Sequence, residues 1–287
     1  MQLDAWIMEY EAAIRLTMFA GVFVSMAGWE LAAPCRQLTV SKSRRWLNNL
    51  ALVVLNTVLL RLLFPAAAVG AALYADAHGW GLFNVIAWPV WLTVVLSVVL
   101  MDLVIYLQHV MVHAVPLLWR LHRVHHADLD YDVTTGARFH PLEIILSLLI
   151  KFAVILLLGP PLVAVVIFEV LLNATAMFNH GNVSLPPAVD RWIRWLLVTP
   201  DMHRVHHSIE DDETNSNFGF NLPWWDRLLG TYRAQPRSGH QGMVIGIRTF
   251  RATRQCVSLP GMLKIPFSGG IQGYAINRRQ WEDKTQD

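Results

Sequence analysis

Long apolar stretches separated by short polar connections run through most of this chain. Five approach the roughly 20 residues a helix needs to cross a bilayer: about 12–31, 47–75, 85–106, 142–158 and 162–178. Arg15 and Glu30 interrupt the first. The second carries Arg61 and Pro65 and reads either as one tilted span or as a span with a short extension. Pro89 starts or kinks the third. Gly159, Pro160 and Pro161 form a turn that makes the last two spans antiparallel neighbours. Further on, the stretch 192–197, with Trp192, Arg194 and Trp195, reads as an amphipathic helix lying at headgroup level.

Composition agrees with this pattern. Of 287 residues, 54% are hydrophobic and 15% charged, whereas soluble domains carry roughly 25% charged residues. The net charge of +2, without any Lys/Arg block, offers no surface to nucleic acid. Cys35 and Cys256 lack metal-type spacing and read as ordinary thiols. Glu9, Glu11 and Arg15 fall where a secretory signal would carry an unbroken apolar core, so no such signal is expected.

Basic residues set the expected orientation. Arg36, Lys42, Arg44 and Arg45 crowd the connection after the first span, while 76–83, after the second, holds no Lys or Arg. The positive-inside rule then puts 34–46 in the cytoplasm. Counting spans forward brings 109–140, and everything after His180, to that same face.

On that face the histidines gather. Ten of the twelve lie between 109 and 207. His109 and His113 are one helical turn apart and project from one face. His122, His125 and His126 stand at i, i+3, i+4, and His203, His206 and His207 repeat that spacing within the same five-residue sequence, His-Arg-Val-His-His. His180 closes the fifth span and His140 precedes Pro141; both are further candidate ligands. Histidine has modest helix propensity, and packing gives no reason to repeat it this way.

Neutral imidazole is the commonest biological metal ligand. Eight to ten clustered imidazoles suit two metals better than one. Zinc usually settles for four ligands, whereas iron accepts five or six and leaves positions open for dioxygen. Asp102 and Tyr106 lie on the same helical stripe as His109 and His113 and are expected to stand behind them, orienting a ligand or offsetting charge. Arg61, Lys151 and Glu169 also fall within spans, where pairing between helices or snorkelling accounts for them.

Residues 98–232 resemble the fatty acid hydroxylase superfamily, which includes sterol desaturases, sterol C4-methyl oxidases, sphingolipid hydroxylases and alkylglycerol monooxygenase. The three histidine boxes stand in that family's order and spacing. The joins match too: Pro116 to Arg120, Arg138 to Glu143, Asn217 to Gly219, and Trp225 to Thr231. Val110 departs from the pattern, since relatives often carry a basic residue there.

The resemblance implies an all-α integral membrane bundle of four to five transmembrane helices with a cytosolic helical cap. It divides the chain into N-terminal transmembrane helices, 1–97, the di-metal domain, 98–232, and a polar tail, 233–287. It also implies a non-haem di-iron centre on His109, His113, His122, His125, His126, His203, His206 and His207, with His180 added, that hydroxylates a membrane lipid using dioxygen. Desaturation on the same irons is the alternative outcome. No cytochrome-b5-like or dinucleotide-binding motif is present. Electrons are therefore expected from a separate reductase, ferredoxin or cytochrome, and the compact chain points to a bacterial inner membrane. A histidine-rich metal transporter is the rival from another class. It would place its ligands along a path through the bilayer midplane, not at one face.

Overall fold

The computed structural model describes residues 2–86, 88–270 and 276. Five helical segments are long and apolar enough to cross a membrane. They comprise α1 (Gln2–Ala32), α2 (Lys42–Leu63) continued by α3 (Ala67–Ala77) and the single turn α4 (Leu82–Val85), α5 (Val90–Ala114), α7 (Pro141–Leu158) and α8 (Leu162–Asn179). Between α5 and α7 lies α6 (Pro116–His126). After α8 come α9 (Pro187–Ile193) and α10 (Pro200–His206). Five shorter helices follow: α11 (Asp211–Thr214), α12 (Trp224–Leu228), α13 (Gly239–Gly242), α14 (Thr253–Val257) and α15 (Leu259–Lys264). No strand occurs among the described residues.

Three spans differ from the hydropathy pattern. α1 starts ten residues earlier than its apolar stretch. The second segment breaks at Phe64–Ala66, because Pro65 can neither donate to a helical ladder nor fit inside one. The third begins at Val90 with Pro89 as its N-cap and runs on to Ala114. Hydropathy stops at Tyr106 because His109 and His113 count as polar, yet both are buried and the helix continues through them. The other two spans agree to within a residue. Between them Gly159 adopts a left-handed φ of 62° and closes α7. A Cβ there would meet Trp80 O at 2.5 Å, so the close approach also requires glycine.

α8 is the central helix, packed against α1, α3 and α5. Met101, Ile155, Val165 and Phe168 form the apolar core that α3, α5, α7 and α8 share. A second core lies under α6, where Leu52, Trp119 and Val124 meet Val257, Met262 and Ile265. Polar in composition, the chain beyond residue 232 nevertheless folds back here through α14 and α15.

The histidine-bearing end is tied down by charge. Buried Arg45 of α2 donates from Nε and Nη2 to Asp128, at 2.9 and 2.7 Å, and pairs with Asp132. Arg138 donates to the Val124 carbonyl at 2.8 Å. Burial alone would raise Asp128, but Arg45 and Arg138 hold it well below the usual carboxylate range. Glu30 of α1 accepts from Val133 N at 2.6 Å and Asn182 N at 2.8 Å. The loop after α6 and the loop after α8 are thus anchored to α1 and α2 by charge-assisted bonds, which are stronger than neutral ones.

Candidate metal centre

Nine of the ten candidate histidines converge in two adjoining buried groups. His109, His113, His122, His126 and His206 form one, and His125, His180, His203 and His207 the other. Within each group the candidate ligand nitrogens lie within 4.8 Å of one another. The repeated boxes are shared crosswise. The second box gives His122 and His126, one turn apart, to the first group and His125 to the other. The third gives His206 to the first group and His203 and His207, again one turn apart, to the second. α6 and α10, which carry these boxes, both begin at proline, Pro116 and Pro200, whose fixed φ suits the first helical position.

The hydrogen bonds fix where the protons sit. His109 Nδ1 and His206 Nδ1 each lie 2.8 Å from a backbone carbonyl, of Phe218 and Ser216. A carbonyl only accepts, so both rings carry hydrogen on Nδ1 and turn a bare Nε2 inward. Thr214 Oγ1 donates to the His206 carbonyl, so it accepts from His126 Nδ1 at 3.4 Å. His113 Nδ1 faces Asn215 Oδ1 at 3.2 Å, and His122 Nδ1 faces Glu143 Oε1 at 2.5 Å. The segment 214–218 therefore orients four of the five rings.

In the other group His180 Nδ1 donates to Ala176 O at 2.7 Å. Its bare Nε2 lies 3.2, 3.1 and 3.2 Å from Nε2 of His125, His203 and His207. One such atom can accept from only one of these three neighbours, so hydrogen bonding cannot account for the convergence. His109, His122 and His206 likewise keep buried Nε2 atoms with no hydrogen-bond partner. Such a set of inward lone pairs, each ring held from behind through its other nitrogen, is the donor arrangement of a metal site.

Burial, reinforced by the neighbouring imidazoles, also keeps the rings neutral. It pushes His180 and His206 down to about 3, and His125, His126, His203 and His207 well below the ordinary histidine value. Phe139 stacks on His125 at 4.5 Å between centroids, and Tyr131 lies over His180 at 5.6 Å.

The remaining candidates stand elsewhere. His140 belongs to neither group; it caps α7, where its Nδ1 accepts from Leu142 N at 3.2 Å. Asp102 accepts from Trp225 Nε1, Asn221 N and Leu222 N at 2.8, 3.2 and 3.3 Å, and so fastens the 221–225 turn to α5. Tyr106 bonds Thr231 through its hydroxyl and stands edge-on to Phe218, the residue whose carbonyl holds His109. Glu143, Thr214, Asn215 and the carbonyls of Ala176, Ser216 and Phe218 are the orienting groups that sequence reasoning did not name. Glu143 and Asn217 to Gly219 lie in recognisable joins, but a backbone acceptor leaves no mark in a sequence.

Gly136 tests this support. A Cβ there would meet Ala176 O at 2.5 Å and His180 Nδ1 at 3.0 Å. Gly136→Ala should therefore disturb the bond that orients His180 and weaken metal binding at the four-histidine group by roughly 10–100-fold. Metal titration should find the five-histidine group unchanged; equal weakening of both would contradict this assignment.

The architecture is thus a helical membrane-type bundle whose one end encloses a buried poly-histidine centre. Residues 94–231 match the family model described as fatty acid hydroxylase. Over 150 residues the chain is 32% identical to an ornithine lipid hydroxylase of Rhizobium tropici, covering 52% of this chain and 44% of that protein. It is 31% identical over 163 residues to alkylglycerol monooxygenase of Xenopus tropicalis, covering 57% and 34%. With cholesterol 25-hydroxylase of Rattus norvegicus it shares 27% identity over 149 residues, covering 50% and 48%. The matched stretch thus spans less than half the length of each of these relatives. No solved structure gives a significant match.

Proposed function

We propose that the chain is a membrane-bound di-iron oxygenase that hydroxylates a C–H bond of a lipid. The observation that carries this reading is the pair of adjoining buried groups, five and four histidines strong. Five imidazoles exceed the four ligands of a structural zinc site but suit iron, which takes five or six. When bound, the two irons would supply reduction of dioxygen by two external electrons and two protons, one oxygen atom entering the C–H bond and the other leaving as water. Electrons would come from a separate donor protein.

The chain's own residues do the rest. Nine histidines would hold the metals: His109, His113, His122, His126 and His206 one, and His125, His180, His203 and His207 the other. Glu143 and the 214–218 segment keep the imidazole lone pairs inward. A cavity of about 460 Å³, a size typical of ligand sites, reaches His109 and His122. Phe139, Ile144 and Leu148 give it apolar walls beside those histidines. They would hold an alkyl chain and keep water from the reacting carbon. The relatives named for ornithine lipid, alkylglycerol and cholesterol support a lipid substrate for this chain. The positive-inside charge pattern favours a cytoplasmic histidine face, and the bacterial relative favours a bacterial membrane.

The test is oxygen uptake by the detergent-purified chain loaded with ferrous iron and given a chemical reductant and membrane lipid extract. Reductant-dependent uptake with a hydroxylated lipid as product is expected. A chain that holds zinc and consumes no oxygen after ferrous loading would refute the reading, and an alkene product would make it a desaturase.

A further inference from the structure

The cavity that reaches His109 and His122 has a second, charged end. Lys151 lies eight residues beyond Glu143 on α7, about 12 Å along the helix axis. Glu169 of α8 stands at a similar depth, near the middle of its span. Arg15 of α1 and Arg61 of α2 join them on the cavity wall. Here too the second segment breaks, and α3 starts at Ala67, a lining residue, without any side-chain cap. The positive end of that helix faces the cavity.

The charges at this end do not cancel. Glu169 pairs with Arg15 and, at 2.6 Å, with Lys151. Glu11 lies 3.9 Å from Arg15. Arg61 has no hydrogen bond or ion pair among the described residues. Three cations, of which Arg61 is exposed in the last turn of α2, thus meet two carboxylates within the apolar spans, where an unbalanced charge is costly and marks a functional site. Ion pairing between helices accounts for Arg15, Lys151 and Glu169 and leaves Arg61 over, an exposed side chain for which the sequence offered snorkelling instead.

We infer that this end of the cavity binds the anionic head of an acidic amphiphile, a carboxylate or phosphate monoester on an alkyl chain, whose tail extends toward His109 and His122. Arg61 is the principal contact, with Lys151, Arg15 and the α3 N-terminus beside it. The proposed lipid oxidation supplies only the fate of the tail; head-group binding stands apart from it. With the head held beside Lys151, about 12 Å along α7 from the Glu143 that contacts His122, the oxidised carbon is counted from the head, whatever the length of the chain.

The experiment is equilibrium binding of hexadecanoate, hexadecyl phosphate and hexadecanol to the full chain in neutral detergent, by competition with a fluorescent fatty acid. At least one acid should bind the wild type about tenfold or more tightly than the alcohol, as a charge-assisted bond requires. The tighter acid names the head. Arg61→Met should remove that preference while leaving hexadecanol affinity unchanged, which also reports that the variant is folded, and Arg61→Lys should restore part of it. Equal binding of acids and alcohol by the wild type overturns the inference without need of any variant. So does an Arg61→Met effect that is the same on all three ligands. Neither readout involves turnover, so acid preference in a chain that consumes no oxygen would refute the oxygenase reading and leave the head-group site standing.

Discussion

His206→Ala should empty the five-histidine group and His125→Ala the four-histidine group, so that each variant retains about one iron where the wild type holds about two. The reason is the crosswise sharing of the boxes. His206 is the third box's single contribution to the first group, and His125 is the second box's single contribution to the other. Each removal also takes away a ring that no neighbour can replace, since every other imidazole is held from behind or enclosed in the buried cluster. The double variant should hold no iron, and all three should lose reductant-dependent oxygen uptake, because the proposed chemistry draws on both metals. Iron analysis with Mössbauer spectroscopy of ⁵⁷Fe-loaded protein distinguishes the sites. Two variants that lose the same iron signal would refute the division into groups.

That division could not be seen in the sequence, although the histidines themselves stood out. Spacing placed His122, His125 and His126 on one helical face, and His203, His206 and His207 likewise. A difference of one residue turns the side chain by about 100°. Neighbours such as His125 and His126 can therefore serve different metals only once α5, α8 and α10 have packed around α6. The supporting bonds were equally hidden. Asp102 drew notice as a carboxylate within a span, yet it fastens a turn, while the groups that orient His109, His180 and His206 are carbonyls. The spans were legible because bilayer thickness imposes a length on apolar runs. Where they shifted, as at the far end of α5, buried histidines had ended the hydropathy signal before the helix ended.

Glu143 is a charged side chain within hydrogen-bond distance of a histidine of the five-histidine group, and its replacement should separate orientation from ligation. Its Oε1 lies 2.5 Å from His122 Nδ1, while Oε2 is buried without a partner. A carboxylate behind an imidazole fixes the ring's tautomer and increases its donor strength, effects whose loss typically costs 10–100-fold in metal affinity or activity. Glu143→Gln keeps the size and can still accept from Nδ1, but it removes the negative charge. The five-histidine group should therefore bind iron roughly tenfold more weakly, the four-histidine group should be unchanged, and excess ferrous iron should restore occupancy. Glu143→Leu removes the acceptor as well and should reach the upper end of that range, about 100-fold. The graded loss is what distinguishes a positioning residue from a structural one. Glu143 opens α7 beside the cavity, and a purely structural role would lower the thermal stability of both variants without splitting the two metal affinities. Iron titrations that weaken equally at the two groups, or not at all, would remove Glu143 from the centre's support.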